Sequence, residues 1–159
     1  MNILVLGSGG REHAMSWLIA KSELCDKLFI APGNAGTQLE GVNLNIKVND
    51  FKAIENAVLT HHIDLVIVGP EDPIVEGIYD YFKSSPNLKD VLIIAPSAQG
   101  AQLEGSKEYA KKFMDRNAIP TAAYASFTAD QYEETKAYLA NQSIPIVIKA
   151  DGLAAGKGV

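Results

Sequence analysis

Four short runs constrain the fold of this chain more than any other feature: "NILVL" (2–6), "DKLFIAPGNAG" (26–36), "DLVIVG" (64–69) and "VLIIAP" (91–96). The first, third and fourth are almost wholly apolar and run into or end in Gly or Pro, as strands buried on both faces do. The second is a strand broken by Pro32 and Gly33. Helical patterns lie between them. In "REHAMSWLIAKS", Ala14, Trp17, Leu18 and Lys21 step at helical intervals. Asp50 stands as an N-cap before "FKAIENAVLTHH", and "PEDPIVEGIYDYF" begins with proline in its first turn. A short strand is expected near Leu44–Val48. Strand–helix alternation of this kind predicts an α/β fold, a parallel sheet with helices on both faces, filling residues 1 to about 100. The conspicuous loops "GSGGRE", "APGNAG", "GPEDP" and "APSAQG" all follow strand ends, the edge at which open α/β sheets bind ligands.

After "APS" the pattern changes. "SKEYAKKFMDRNA" reads as a basic amphipathic helix and "IPTAAYASF" as a strand. "TADQYEETKAYLANQ" reads as a helix opened by a capping box, Thr128 with Gln131. "PIVIKA" reads as another strand, leading into the glycine-rich "DGLAAGKGV". The expected boundary puts residues 1–103 in one domain and 104–159 in the start of a second.

Of the 159 residues, 47% are hydrophobic and 21% charged, which suits a packed core. The net charge of −5, without a long basic run, argues against general binding of nucleic acid or anionic membranes. It leaves phosphate ligands open, because backbone N–H groups and single lysines bind anions on acidic proteins. The one cysteine, Cys25, excludes an internal disulfide, and no Cys/His spacing suits zinc. Trp17 and Cys25 are assigned to packing. The first residues carry no basic flank and do not read as a signal peptide, so a cytoplasmic location is expected.

"GSGGREH" is a glycine turn between a strand and a helix. It aims backbone N–H groups at an anion, and Arg11 adds a charged fork. A tight turn that binds nothing is the plain alternative. A dinucleotide site is rejected: G-x-G-x-x-G from Gly7 needs glycine where Glu12 stands, and the second strand ends Ile30-Ala31-Pro32 rather than in an acid. "PGNAG" repeats the theme, with a plain turn equally open. Glu71 in "GPEDP" suits a ribose hydroxyl or an amine, or simply a helix start. The terminal loop fails as a Walker motif at Asp151 and at Gly158. A flexible glycine loop between antiparallel strands remains, with Lys149 on the strand before it.

"VLGSGGREHA", "APGNAG", "VGPE-P", "QLEGSK" and "VIKADGLAAGKGV", in this order and spacing, resemble the phosphoribosylamine–glycine ligases, also called glycinamide ribonucleotide synthetases. The resemblance implies a Rossmann-like domain preceding an ATP-grasp domain. It also implies ATP-dependent ligation of glycine to 5-phosphoribosylamine in purine biosynthesis. On the matching positions, Gly9, Gly10, Arg11, Gly33, Asn34 and Glu71 would meet phosphoribosylamine. Lys107 and Lys149 would meet ATP phosphates, and Gly156, Lys157 and Gly158 would form the mobile loop over them. Mg²⁺ or Mn²⁺ is implied, with ligands beyond residue 159, because the family's chains are much longer. The chain is therefore expected to be an N-terminal piece, inactive alone and monomeric, acting on small molecules and not on nucleic acid or membrane. The alternative is a phosphate- or nucleotide-binding or interaction module without catalysis.

Overall fold

A computed structural model describes residues 1–153. The backbone divides into two compact units, Met1–Ala101 and Gln102 onward.

The first unit is a five-stranded parallel sheet in the order β3-β2-β1-β4-β5. Its strands are β1 (Asn2–Gly7), β2 (Lys27–Pro32), β3 (Val42–Asn43), β4 (Leu65–Val68) and β5 (Leu92–Ile94). Its helices are α1 (Gly10–Ile19), α2 (Phe51–Thr60), α3 (Glu71–Val75) and α4 (Ile78–Ser84), with a 3₁₀ turn at Thr37–Leu39. Alternate side chains of β1 enter opposite cores, as strand geometry requires. Leu4 and Leu6 pack with Ile54 and Val58 of α2 and Ile78 and Phe82 of α4. Ile3 and Val5 pack with Leu28 and Ile30, against Met15 and Ile19 of α1. Helices thus cover both faces, as the apolar runs predict. The order reverses between β1 and β4, so the loops after these two strands flank the switch-point crevice.

Several elements differ from the expectation, each for a local reason. The third strand is at Val42–Asn43, not Leu44–Val48. Leu44 still donates its N–H to Ile30 O (2.8 Å), but Ile46 N–H then turns back onto Leu44 O and the ladder ends. The helix expected over "PEDPIVEGIYDYF" is two, α3 and α4, because Gly77 takes φ +91° between them. β5 is an edge strand with Leu92 and Ile94 exposed, not a doubly buried one. The inward face of α1 is Glu12, Met15, Ser16 and Ile19 rather than the Trp17 face. Trp17 is half exposed, with the Lys21 ammonium 3.1 Å from its ring centroid, so it is not a core residue.

The second unit contains the C-terminal half of α5 (Ala98–Gly105) and all of α6 (Lys107–Arg116) and α7 (Tyr132–Ala140). The strands expected in "IPTAAYASF" and "PIVIKA" are not formed, since neither has a hydrogen-bonded neighbour among the described residues. Ile144, Val147 and Ile148 are exposed accordingly. The capping box is half made. Gln131 accepts from Thr128 N–H (2.9 Å), while its own N–H bonds Thr128 O, and the helix begins only at Tyr132.

Asp50 caps α2 as expected, its Oδ1 accepting from Ala53 N–H at 3.0 Å. Asp50→Ala is expected to cost about 1 kcal/mol of unfolding free energy. Urea denaturation at neutral pH reads it, and an unchanged midpoint would assign the cap no weight.

Candidate functional site

Three loops meet at the C-terminal edge of the central strands. Backbone bonds tie them there: Gly33 N–H donates to Gly7 O (3.1 Å) and Gly69 N–H to Leu6 O (3.0 Å). Asn34 locks the second loop to the first, donating Nδ2–H to Ser8 O (2.8 Å). Its Oδ1 accepts from the N–H groups of Gly36 and Thr37 (2.8 and 3.0 Å), an Asx turn. Thr37, fully buried, joins Asn34 and Asn43 in one network. Most of the Asn34 side chain's hydrogen-bonding capacity is therefore used within the protein, and its evident work is to hold the loop.

Arg11 and Glu71 stand across the switch point from each other. Both terminal nitrogens of the guanidinium lie 3.3 Å from Glu71 Oε1, and Nε lies 3.2 Å from Glu12 Oε1. The Arg11 pKa is raised, first by Glu12 and then by Glu71. The Glu71 carboxyl is held below its ordinary range by its own backbone N–H at the start of α3, then by Arg11. The Arg11 side chain is more than half exposed, so this pair contributes little to stability and is open to exchange.

A depression of about 390 Å³ opens between these loops, lined by Gly7, Ser8, Gly9, Glu12, Pro32, Lys47, Val48 and Pro70. Of the residues expected from sequence, Gly9 is in its wall, while Gly10, Gly33 and Glu71 each directly follow a wall residue in the chain. Two charged residues not singled out as site residues in the sequence line it as well. Lys47 is a lone exposed lysine in a loop, with no pattern to mark it. Glu12 is marked only by being the wrong residue in a dinucleotide motif.

In the second unit, Lys107 opens α6. Its Nζ donates to Gly152 O (2.7 Å), and its backbone N–H to Asp151 Oδ1 (2.6 Å). Ser106 caps the helix through Tyr109 N–H and donates its hydroxyl to Asp151 (3.0 Å). Asp151 thus pins the start of the glycine loop to the positive end of α6. Burial pushes the Asp151 carboxyl up, but the Ser106 hydroxyl and the N–H groups of Lys107 and Glu108 outweigh it and hold it low. Lys149 is exposed. Gly156, Lys157 and Gly158 lie outside the described residues.

Fold and loops together define a doubly wound α/β unit with a glycine-lined edge at its switch point, followed by a second unit that carries a lysine-anchored loop. Two family models match the chain end to end: phosphoribosylglycinamide synthetase, N domain, over residues 1–104, and phosphoribosylglycinamide synthetase, ATP-grasp (A) domain, over residues 105–159. The phosphoribosylamine–glycine ligases of Haemophilus influenzae and Escherichia coli are 51% and 52% identical over the whole chain. The chain spans 36% of the length of each. The crystal structure of a phosphoribosylamine–glycine ligase from Thermotoga maritima superposes on 99% of this chain, with a TM-score of 0.72 and 33% identity, and 35% of that chain is covered. N5-carboxyaminoimidazole ribonucleotide synthetase from the same organism shares the fold at 18% identity, with a TM-score of 0.57, over 86% of this chain and 36% of its own. The chain belongs to the phosphoribosylglycinamide synthetase family.

Proposed function

We propose that this chain forms the N-terminal part of an ATP-dependent ligase that joins glycine to 5-phosphoribosylamine, giving glycinamide ribonucleotide, ADP and phosphate. In this reading residues 1–103 form the ribose-phosphate domain and 104–159 begin the ATP-grasp domain. The meeting of the "GSGGRE", "PGNAG" and "GPE" loops at one sheet edge, with the Arg11 fork held across it by Glu71, is the observation that carries the reading.

Glycine's carboxylate is a poor acyl donor. Phosphorylation by ATP makes glycyl phosphate, and the amine of phosphoribosylamine then displaces phosphate from its carbonyl carbon. Such chemistry asks the protein for positioning and charge neutralisation. Gly9, Gly10 and Gly33, lacking side chains, leave room for the sugar phosphate at this edge, although the Gly9 N–H itself is given to Glu12 Oε2. Arg11 exchanges Glu71 for the phosphate, whose dianion and paired oxygens suit a guanidinium fork better than one carboxylate oxygen does. Glu71, ionised at neutral pH, is then released to accept from a ribose hydroxyl or the amine. Lys107 and Lys149 present ammonium groups to the ATP phosphates, and Gly156, Lys157 and Gly158 close over them. A divalent cation, Mg²⁺ or Mn²⁺, supplies further neutralisation of those phosphates when bound. No three His, Cys, Asp or Glu side chains cluster to hold one among the described residues. The substrates are small molecules, handled by a cytoplasmic monomer. No helix among the described residues is long and apolar enough to cross a membrane.

Arg11→Ala is expected to weaken binding of the ribose phosphate about tenfold or more, since a charge-assisted hydrogen bond is worth roughly 1.5–3 kcal/mol. Calorimetry on the chain extended to its relatives' length, beside an assay of ADP release with glycine and phosphoribosylamine, tests the reading. Unchanged affinity removes Arg11 from the site. Binding without turnover in the extended protein favours a non-catalytic module.

A further inference from the structure

Glu12 is only 4% exposed, although it stands in the first turn of α1, just after a glycine turn and beside an open depression. The turn is built around it. A Cβ added at Gly7 or at Gly69 would fall inside contact distance of its Cγ and carboxylate, and one at Gly9 would lie 2.9 Å from its Oε2. Its two oxygens divide their work. Oε2 accepts the Gly9 N–H at 2.8 Å, and Oε1 accepts Arg11 Nε–H at 3.2 Å. A buried carboxylate is costly unless hydrogen-bonded, so these partners hold it as firmly as it holds them.

Two consequences follow for an incoming anion. The Gly9 N–H, which an ordinary glycine turn would offer to a phosphate, is already occupied by a carboxylate of this chain. The charge of Glu12 also stands at the N-terminus of α1, where the bridging phosphates of a dinucleotide would have to sit. Arg11 is the charged donor that this turn leaves to the ligand. With Nε fixed by Glu12, its two terminal nitrogens are presented as a pair, the geometry that recognises phosphate through two parallel bonds.

We propose that Glu12 is the positioning residue of the sugar-phosphate site: its buried carboxylate closes the glycine turn to phosphate and sets the plane of the Arg11 guanidinium that receives it. This rests on the reading of Arg11 as a ligand-binding group, and the experiment separates the two. In the ¹⁵N-labelled 159-residue chain, exchange of the Arg11 Nε proton with water is followed by NMR. Affinity for ribose 5-phosphate is measured in parallel by calorimetry. Glu12→Gln keeps the shape and an acceptor for Gly9 but removes the charge. It is expected to speed the Nε exchange at least about tenfold and to weaken ribose 5-phosphate binding by about the same factor. The Arg11→Ala, Glu12→Gln double variant should bind no more weakly than Arg11→Ala alone, because Glu12 acts through Arg11. Glu12→Asp, which retains the charge, should restore part of the protection, and it serves as the second variant where Glu12→Gln does not fold. Unchanged Nε exchange in the folded variants overturns the proposal, as does full additivity of the two substitutions. Should Arg11→Ala leave the affinity unaltered, or the wild-type chain show no binding heat, the parent reading of Arg11 falls, while the exchange measurement still decides whether Glu12 holds the guanidinium.

Discussion

Gly7→Ala is expected to lower the unfolding free energy by roughly 2–5 kcal/mol, while Gly10→Ala, three residues away, is neutral or stabilises by up to about 1 kcal/mol. The two glycines look alike in "GSGG", but the structure separates them. Gly7 ends β1 with φ +131°, a conformation that L side chains rarely adopt. Its missing side chain is also the space that the Glu12 stem occupies. An alanine there adds backbone strain, on the order of 1–3 kcal/mol, to an overpacking cost of similar size. The clash cannot be relieved by swinging Glu12 away without exposing Gly9 N–H and releasing Arg11. Gly10 is the first residue of α1, and nothing lies within 4 Å of the Cβ it would carry. Alanine there only reduces the freedom of the unfolded chain. Urea unfolding of both variants beside the parent chain measures the contrast. Equal midpoints for the two would show that the turn is not built around Glu12.

That contrast also marks how far the sequence could be read. The four apolar runs and the loops behind them are local signals, and each run contains a strand of the sheet, so the edge where those loops gather was legible in the sequence. What the loops hold was not. Glu12 registers in the sequence only as a failed glycine, because a motif test asks whether a residue matches and not what fills the space when it does not. The face of α1 is misread for a related reason. Apolar Ala14, Trp17 and Leu18 make a convincing stripe, yet the helix buries polar Glu12 and Ser16 beside Met15 and Ile19, since the glycine turn needs its carboxylate inside. In the second unit, "PIVIKA" has strand composition but no ladder among the described residues. A strand is a relation between two segments, and composition reports on only one of them. Lys47 carries no pattern at all and becomes visible only as part of a wall.

The second large effect concerns acid stability and lies away from the switch-point loops. Glu55 of α2 is almost fully buried and accepts from the Tyr81 hydroxyl, Ser85 Oγ (3.0 Å), Lys52 Nζ (3.2 Å) and Asn87 Nδ2 (3.3 Å). These partners belong to α2, to α4 and to the segment just after it, so one carboxylate clamps the covering helices on one face of the sheet. The Tyr81 hydroxyl, then Ser85, Lys52 and Asn87, hold the Glu55 pKa at about 2, against an ordinary 4.5. Lys52 is largely exposed, so its share is screened by water and salt, and the neutral donors carry the shift. A carboxyl whose folded pKa is depressed contributes stability that is fully present above its unfolded pKa and is lost as pH falls through the folded one. The contribution of Glu55 is therefore complete above about pH 4.5 and fades toward pH 2. Glu55→Gln should lower the urea midpoint clearly at pH 7, and the gap to the parent chain should narrow steadily as the pH falls from 4.5 to 2. Tyr81→Phe removes the leading donor, so it should reproduce part of the loss at neutral pH and shift the acid limb of the parent profile upward. Urea midpoints measured across this range for the three proteins decide the matter. Parallel profiles would mean that the carboxylate titrates as an ordinary surface acid and that the clamp does not hold α2 to α4.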